Sequence, residues 1–445
     1  MIPLENPSHS IPDFSGRLGD KRLETRANLL GNRLCESPSS TIRRLAHDRA
    51  GQKAFYRLLD NESLGGSALV AECSSRMAGL CTGRHLLCVQ DSCGANLSKQ
   101  KGRAKEGSGL DTSDNSGTAH CFKLHPGLVL DAQGSDPLGF SHIKVFHRPE
   151  EGPDRFQRNY KRQPVTRKES YKWIEVALES KKVLANAQSV TFIEDREGDI
   201  HEQSAMVPDE RAHLLVRSRT TGNLANGESL YRSVDAKPVA GTYTIEVPTD
   251  SRKGQFKREA KIALRSAQCE IVRPANLKRA GHPATIALTC ISVREVGNAR
   301  KRINWKLLAT HKIENYQDAL LMVQWYGARW YIEQLFRILK RQGFGMGQTQ
   351  PESGWATRKP VLMQMSATLK ILRMDIAHSR PEGGQPIEEV SNGQEIEVPT
   401  MMDSKLQGRT RKLQNHNDPK RTKWAAWAIG RLGGWKDTIH WGRQV

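Results

Sequence analysis

Aromatic residues are scarce in this 445-residue chain, at 6%, and long apolar runs are missing. No stretch of about 18 apolar residues occurs, so the sequence gives no reason to expect a membrane span. The N-terminus, MIPLENPSHSIPDFSG, lacks the basic start and apolar stretch of a secretory signal. Cysteine is sparse as well: eight residues are too few for a disulfide scaffold. Cys73, Cys81, Cys88 and Cys93 lie near one another, but their gaps are irregular and form no C-x₂-C pair. Zinc is therefore not expected, and buried reduced thiols are. Acids are outnumbered, 48 against 68 lysines and arginines, for a net charge of +20 and a pI near 9.7. That surplus points to a polyanionic partner, DNA or RNA, with a generally basic surface as the alternative.

Periodicity divides the chain. Helical spacing is expected over 20–32 and 41–60, the second with Ser39 or Ser40 as N-cap and a basic face of Arg43, Arg44, Arg49 and Lys53. From residue 85 the pattern becomes strand-like: 85–90, 121–131 and 138–148, then a helix over 168–182 and strands at 189–194 and from 213. The alternation points to an α/β core. Residues 221–300 repeat strand patterns punctuated by Gly, Pro and Lys and read as a β-rich insertion. A strand at 303–310 precedes a long helix over 316–341 and a second over 360–378. Residues 380–400 read as a linker and 405–423 as a basic loop or DNA contact, before the tryptophan-rich helix WAAWAIGRLGGW.

Chemistry concentrates at strand ends. Asp91 and Asp195 each follow a short apolar strand, the position at which open α/β sheets bind ligands. Carboxylates brought together repel unless a cation neutralises them, and few hard oxygen ligands with open positions suit Mg²⁺ or Mn²⁺. A third acid, Glu333, falls on the long helix. On a continuous helix Tyr326, Arg329, Glu333 and Lys340 lie at roughly 0°, 300°, 340° and 320°, one narrow polar face. Such a face is commonly an ion-pair ladder.

The spacing Tyr326-x₂-Arg329-x₃-Glu333-x₆-Lys340 resembles the Y-R-E-K signature of DDE transposases, and more narrowly of the insertion-sequence-four family. Asp195-Arg-Glu-Gly-Asp-Ile200 is similar to that family's motif around its second aspartate. Trp305 stands where a relative carries a tryptophan that holds a flipped base. LGDKR, QKAFYRLLDN and WAAWAIGRLGGW extend the resemblance over most of the chain.

The resemblance implies an RNase H-like catalytic core carrying a β-rich insertion, an N-terminal helical DNA-binding domain and a short helical C-terminus. Residues 1–80 would bind transposon ends. Residues 81–220 and 301–385 would form the catalytic core, 221–300 the insertion, and 386–445 a linker and helical C-terminal region. Asp91, Asp195 and Glu333 would hold two Mg²⁺ ions, with Mn²⁺ able to substitute, for cut-and-paste transposition. Tyr326, Arg329, Arg337, Lys340 and Trp305 would contact DNA, Trp305 by stacking on an extruded base in a hairpin intermediate. The implied partners are double-stranded DNA, as transposon ends and target, and a second copy in a paired-end homodimer. The implied setting is the bacterial cytoplasm at the nucleoid. Relatives continue beyond the RLGG motif, so a shortened C-terminus and impaired pairing are expected. Alternatives are a DNA-binding remnant without activity and a metal-dependent nuclease of the same fold.

Other features carry less. Gly343 to Gly347 follows a helix rather than a strand and reads as a helix stop. Lys99, Lys101, Arg103 and Lys105 form a basic loop, either DNA-contacting or solvated. Glu194 and Asp199 flank the second aspartate, and Asp199 is a candidate support for the site.

Overall fold

The computed structural model describes residues 11–37, 39, 41–96, 111–112, 120–147, 163–247, 249, 256–277, 281–297, 299, 302–340, 344, 354–391 and 393–432. The basic loop at 99–105, and all of the 343–347 segment except the buried Phe344, fall outside them.

Four helices open the chain: α1 (Lys21–Glu36), α2 (Ile42–Leu45), α3 (Arg49–Asp60) and α4 (Gly66–Ala78). The single helix expected over 41–60 is two. Asp48 ends the first extension and caps the second, its Oδ1 accepting from the Gly51 N–H at 2.7 Å. Ser39 accepts instead from the Thr41 N–H, at 3.1 Å.

Strands β1 (His85–Gln90), β2 (Cys93–Asn96), β3 (Asp111–Thr112), β4 (His120–Asp131) and β5 (Pro137–Phe146) follow. Next come α5 (Tyr171–Val183), β6 (Ser189–Glu194), α6 (His201–Met206), β7 (Ala212–Arg217) and α7 (Leu230–Asp235). Then come β8 (Gly241–Val247), β9 (Arg258–Val272), β10 (Thr285–Glu295) and β11 (Asn304–Ala309). The chain ends in α8 (Tyr316–Gly327), α9 (Trp330–Lys340), α10 (Gly354–Ser379), α11 (Gly393–Leu406) and α12 (Thr422–Leu432).

All described strands join one sheet. β1, β6 and β7 are parallel neighbours; β4 is antiparallel to β1, and β5 to β4. β11 closes antiparallel on β7, and β10, β9 and β8 extend the sheet beyond it. The segment 221–300 is thus hydrogen-bonded into the same sheet as the strands before it.

Side chains alternate across the sheet, as strand geometry dictates. Leu87, Val89, Ile193, Leu215 and Leu307 face α8, α9 and α10, while Leu86, Cys88, Phe192, Leu214 and Val216 face α5 and α7. Cys73, Cys81, Cys88 and Cys93 are buried thiols outside any disulfide, and burial pushes Cys88 up to about 11.

Two further expectations for the helices are corrected. The long helix over 316–341 is broken between Gly327 and Trp330. There Arg329 N–H bonds Tyr326 O and Tyr331 N–H bonds Ala328 O, tight three-residue turns at a glycine, the weakest helix former after proline. The linker at 380–400 contains a helical turn, Ile387–Glu389, and the start of α11, despite Pro399.

Helix α10 lies at the centre. Buried cations on it satisfy main-chain carbonyls of other elements. Lys359 donates to Leu59 O and Asn61 O at the end of α3, at 2.6 and 2.8 Å. Arg373 donates to Pro137 O and Leu138 O at the start of β5.

Candidate active site

Asp91 and Asp195 are the residues just past the ends of β1 and β6. The parallel register, Cys88 opposite Phe192 and Val89 opposite Ile193, runs on to set Asp91 opposite Asp195. Both share the strand face of Val89 and Ile193, which looks toward α8 and α9. The break between those helices places Arg329 over the two strand ends. Its guanidinium donates to Asp91 Oδ2 at 3.3 Å and also to Glu333 on α9. Tyr326, buried on the last turn of α8, donates its hydroxyl to Asp195 Oδ1 at 3.2 Å. The structure therefore brings Asp91, Asp195, Glu333, Tyr326 and Arg329 together, although Tyr326 and Glu333 sit on different helices rather than on one polar face.

The electrostatics follow from crowding and burial. Burial pushes the Asp91 carboxyl up to about 6, outweighing the Ser92 N–H and Arg329, and Glu333 and Asp195 add repulsion. Burial also raises the Tyr326 phenol, with the Asp195 charge beside it. The site holds more negative charge than one guanidinium balances. Among the described residues, no three His, Cys, Asp or Glu side chains stand close enough to hold an ion as they are, and Arg329 lies between Asp91 and Glu333.

The other expected residues spread outward. Trp305 is half-buried on β11, its ring 5.7 Å from that of Tyr326 at 62°. Arg217, the last residue of β7, sets its guanidinium 5.5 Å from the Trp305 ring. Arg337 is half-buried toward α10, near Asp375, and Lys340 is exposed at the end of α9. Glu194 faces the opposite side of the sheet, fully buried, and accepts from Gln203. Asp199 is tied to the end of β7, accepting from the Arg219 N–H at 2.6 Å and the Ser218 hydroxyl at 3.3 Å.

Sequence reasoning missed Arg217, Ser92 and His125. Arg217 carried a signal, since it ends the third parallel strand. Ser92 donates its N–H to Asp91 Oδ1 at 2.7 Å and hydrogen-bonds His125. Neither residue carries a motif.

A second basic region lies on the N-terminal helices. Arg43, Arg44, Arg49 and Lys53 are exposed. An open groove of about 310 Å³ between α1 and α3 is lined by Arg26, Arg33 and His47 beside Leu29 and Phe55.

Residues 15–64, which span α1 to α3, match the family model described as transposase DNA-binding. Among solved structures the chain is similar to the cryo-electron-microscopy structure of the piggyBac transposase synaptic complex with hairpin DNA. The identity is 9% and the TM-score 0.40, over 94% of this chain and 76% of that one. A likeness that loose carries no argument. No described helix is long and apolar enough to cross a membrane. The comparisons give a transposase-type DNA-binding region at the head of a mixed α/β chain with one large sheet.

Proposed function

We propose that this protein is a DDE transposase of the insertion-sequence-four type, cutting DNA at transposon ends and joining it to a target. The observation that carries the reading is the meeting of Asp91 and Asp195 at adjacent parallel strand ends, with Glu333 tied to Asp91 through Arg329. The strand order β5-β4-β1-β6-β7, antiparallel then parallel, supports an RNase H-like core. The family match at residues 15–64 and the exposed arginines there support binding of double-stranded DNA.

The donor set suits Mg²⁺: hard carboxylate oxygens, partly exposed, with burial and then the neighbouring Glu333 and Asp195 charges raising Asp91, a cost that a cation would offset. Asp91, Asp195 and Glu333 would hold it. Bound there, the metal supplies Lewis-acid polarisation of the scissile phosphate and a nucleophile at neutral pH. The chain's own residues do the rest. Arg329, charged and close to all three acids, moves its donors to phosphate oxygens when DNA arrives. Tyr326 orients Asp195 through its hydroxyl. Trp305, with one face on Arg217 and an edge toward Tyr326, offers a stacking surface beside the acids for an unpaired base, the role a hairpin step requires. Pairing of two copies is part of the same proposal, and Val398, Met401 and Leu432 on α11 and α12 offer exposed apolar side chains for it.

The test uses DNA carrying the inverted repeats that flank the gene. Asp91→Asn, Asp195→Asn and Glu333→Gln are each expected to abolish Mg²⁺-dependent cleavage while end binding persists. A folded variant that cuts at the parental rate removes its residue from the site. Three such variants overturn the reading.

A further inference from the structure

β1 and β2 keep one register against β4. Leu86 faces Asp131 and Gln90 faces Gly127; beyond the gap, Cys93 faces Leu124 and Asn96 faces Cys121. They are one strand interrupted for two residues, Asp91 and Ser92, whose register partners are Pro126 and His125. Proline has no N–H to give, so the ladder lapses beside Asp91.

The His125 side chain spans that lapse. Its ring is fully buried and edge-on to Trp173, with centroids 4.6 Å apart at 79°. Nε2 lies 3.1 Å from Gln90 Oε1 and Nδ1 lies 2.9 Å from Ser92 Oγ. Burial, with Lys172 and Lys144 nearby, holds the imidazole neutral, so one nitrogen donates and the other accepts. The two ring nitrogens therefore bond the Gln90 side-chain amide and the Ser92 hydroxyl, one on each side of Asp91. Ser92 then gives its backbone N–H to Asp91 Oδ1 at 2.7 Å. The ring thus grips the residues on both sides of the acid.

We propose that His125 is a positioning residue for Asp91: it replaces the missing ladder bonds and, through Ser92, fixes the direction in which the Asp91 carboxylate presents its oxygens to a divalent cation. This rests on the reading of Asp91 as a metal-holding catalytic residue. Loss of a group that orients a ligating side chain typically costs roughly 10- to 100-fold in metal affinity or activity.

The experiment compares His125→Ala, Ser92→Ala and His125→Asn with the parent chain and with Asp91→Asn, each bound to end DNA. The readouts are direct Mn²⁺ binding by electron paramagnetic resonance, first-strand cleavage against Mg²⁺ concentration, end-DNA affinity and thermal melting. His125→Ala and Ser92→Ala are expected to weaken Mn²⁺ binding and raise the half-saturating Mg²⁺ by roughly 10- to 100-fold, with end-DNA affinity unchanged. His125→Asn, which keeps a polar atom toward Ser92, should recover part of the loss. If His125→Ala fails to fold, Ser92→Ala decides, because it removes only a hydroxyl from a half-exposed loop. Parental Mn²⁺ binding and Mg²⁺ dependence in folded Ser92→Ala and His125→Asn, alongside an inactive Asp91→Asn, overturn this inference alone. An active Asp91→Asn overturns it together with the reading it rests on.

Discussion

β1 and β6 run from imidazoles at one end to carboxylates at the other. At their start, Thr191 Oγ1 lies between His85 Nε2 at 3.0 Å and His311 Nε2 at 2.8 Å. His213 stacks on His311 with ring centroids 4.0 Å apart, and Trp325 meets His85 edge-on at 4.7 Å. Burial depresses all three imidazoles, His311 to about 3. At the far end burial lifts Asp91 to about 6. The same cost of burying charge acts at both ends, but the ends answer it differently. The imidazoles become neutral and pack. The carboxylates remain half-exposed around a guanidinium. Consecutive residues of α8 serve the two: Trp325 covers the histidines, and Tyr326 reaches Asp195. One end packs as core, and the other keeps its charged groups partly open to solvent.

The comparison breaks first at Trp325. Its ring is buried and its Nε1 donates to Ala132 O at 3.1 Å, so Trp325→Ala is expected to cost about 3–5 kcal/mol in denaturant unfolding. A loss under about 1 kcal/mol would show that the histidine end is not core.

Gly198→Ala probes the acid end next. A Cβ there would collide with the Glu194 side chain, and the buried Glu194 adjoins Asp195. A cost of about 1–3 kcal/mol is expected, with slower cleavage, because the turn after Asp195 must shift. Full activity at parental stability would mean the turn gives way freely.

Acid titration separates the ends by sign. Depressed imidazoles contribute stability that is present above their ordinary 6.5 and is lost as pH falls toward about 3 at His311. Asp91 contributes the opposite: stability present below its ordinary 3.8 and lost as pH rises through about 6. Between about pH 4 and 6, His311→Gln should therefore lessen the loss of stability on acidification, and Asp91→Asn should steepen it. Equal slopes in both variants would remove the contrast.

The smallest effect is expected at Tyr326→Phe. One hydroxyl on a half-exposed carboxylate contributes about 0.5–1.5 kcal/mol to stability, while cleavage should slow more than unfolding changes. Calorimetry and single-turnover cleavage on the same sample give the ratio.

The strands that hold the acids were legible because apolar runs at 85–90 and 189–194 end abruptly in aspartate. That Asp91 sits opposite Asp195 was not legible from those runs, because it needs the parallel pairing of the two strands. The break at Gly327 was not legible, since Trp325, Ile332, Leu335 and Leu339 keep helical spacing across it and periodicity cannot see a local turn. β2 was hidden by the two-residue interruption and by Gly94. α11 was hidden by Pro399 and by a polar composition that resembles a linker. His125 was invisible for a different reason: its partners, Gln90 and Ser92, lie on another strand, and only the register brings them to it.

The buried cations of α10 bear on the order in which the chain is made. The carbonyls at the end of α3 find Lys359, and those at the start of β5 find Arg373, on a helix that leaves the ribosome some 300 and 236 residues later, respectively. Arg329 meets Asp91 across 238 residues. Until residues 354–379 emerge, the nascent chain has neither the cover for its first helices nor the helix that packs behind Glu333. A chain that stops before that point therefore leaves apolar faces of α1, α3, α4 and α9 bare.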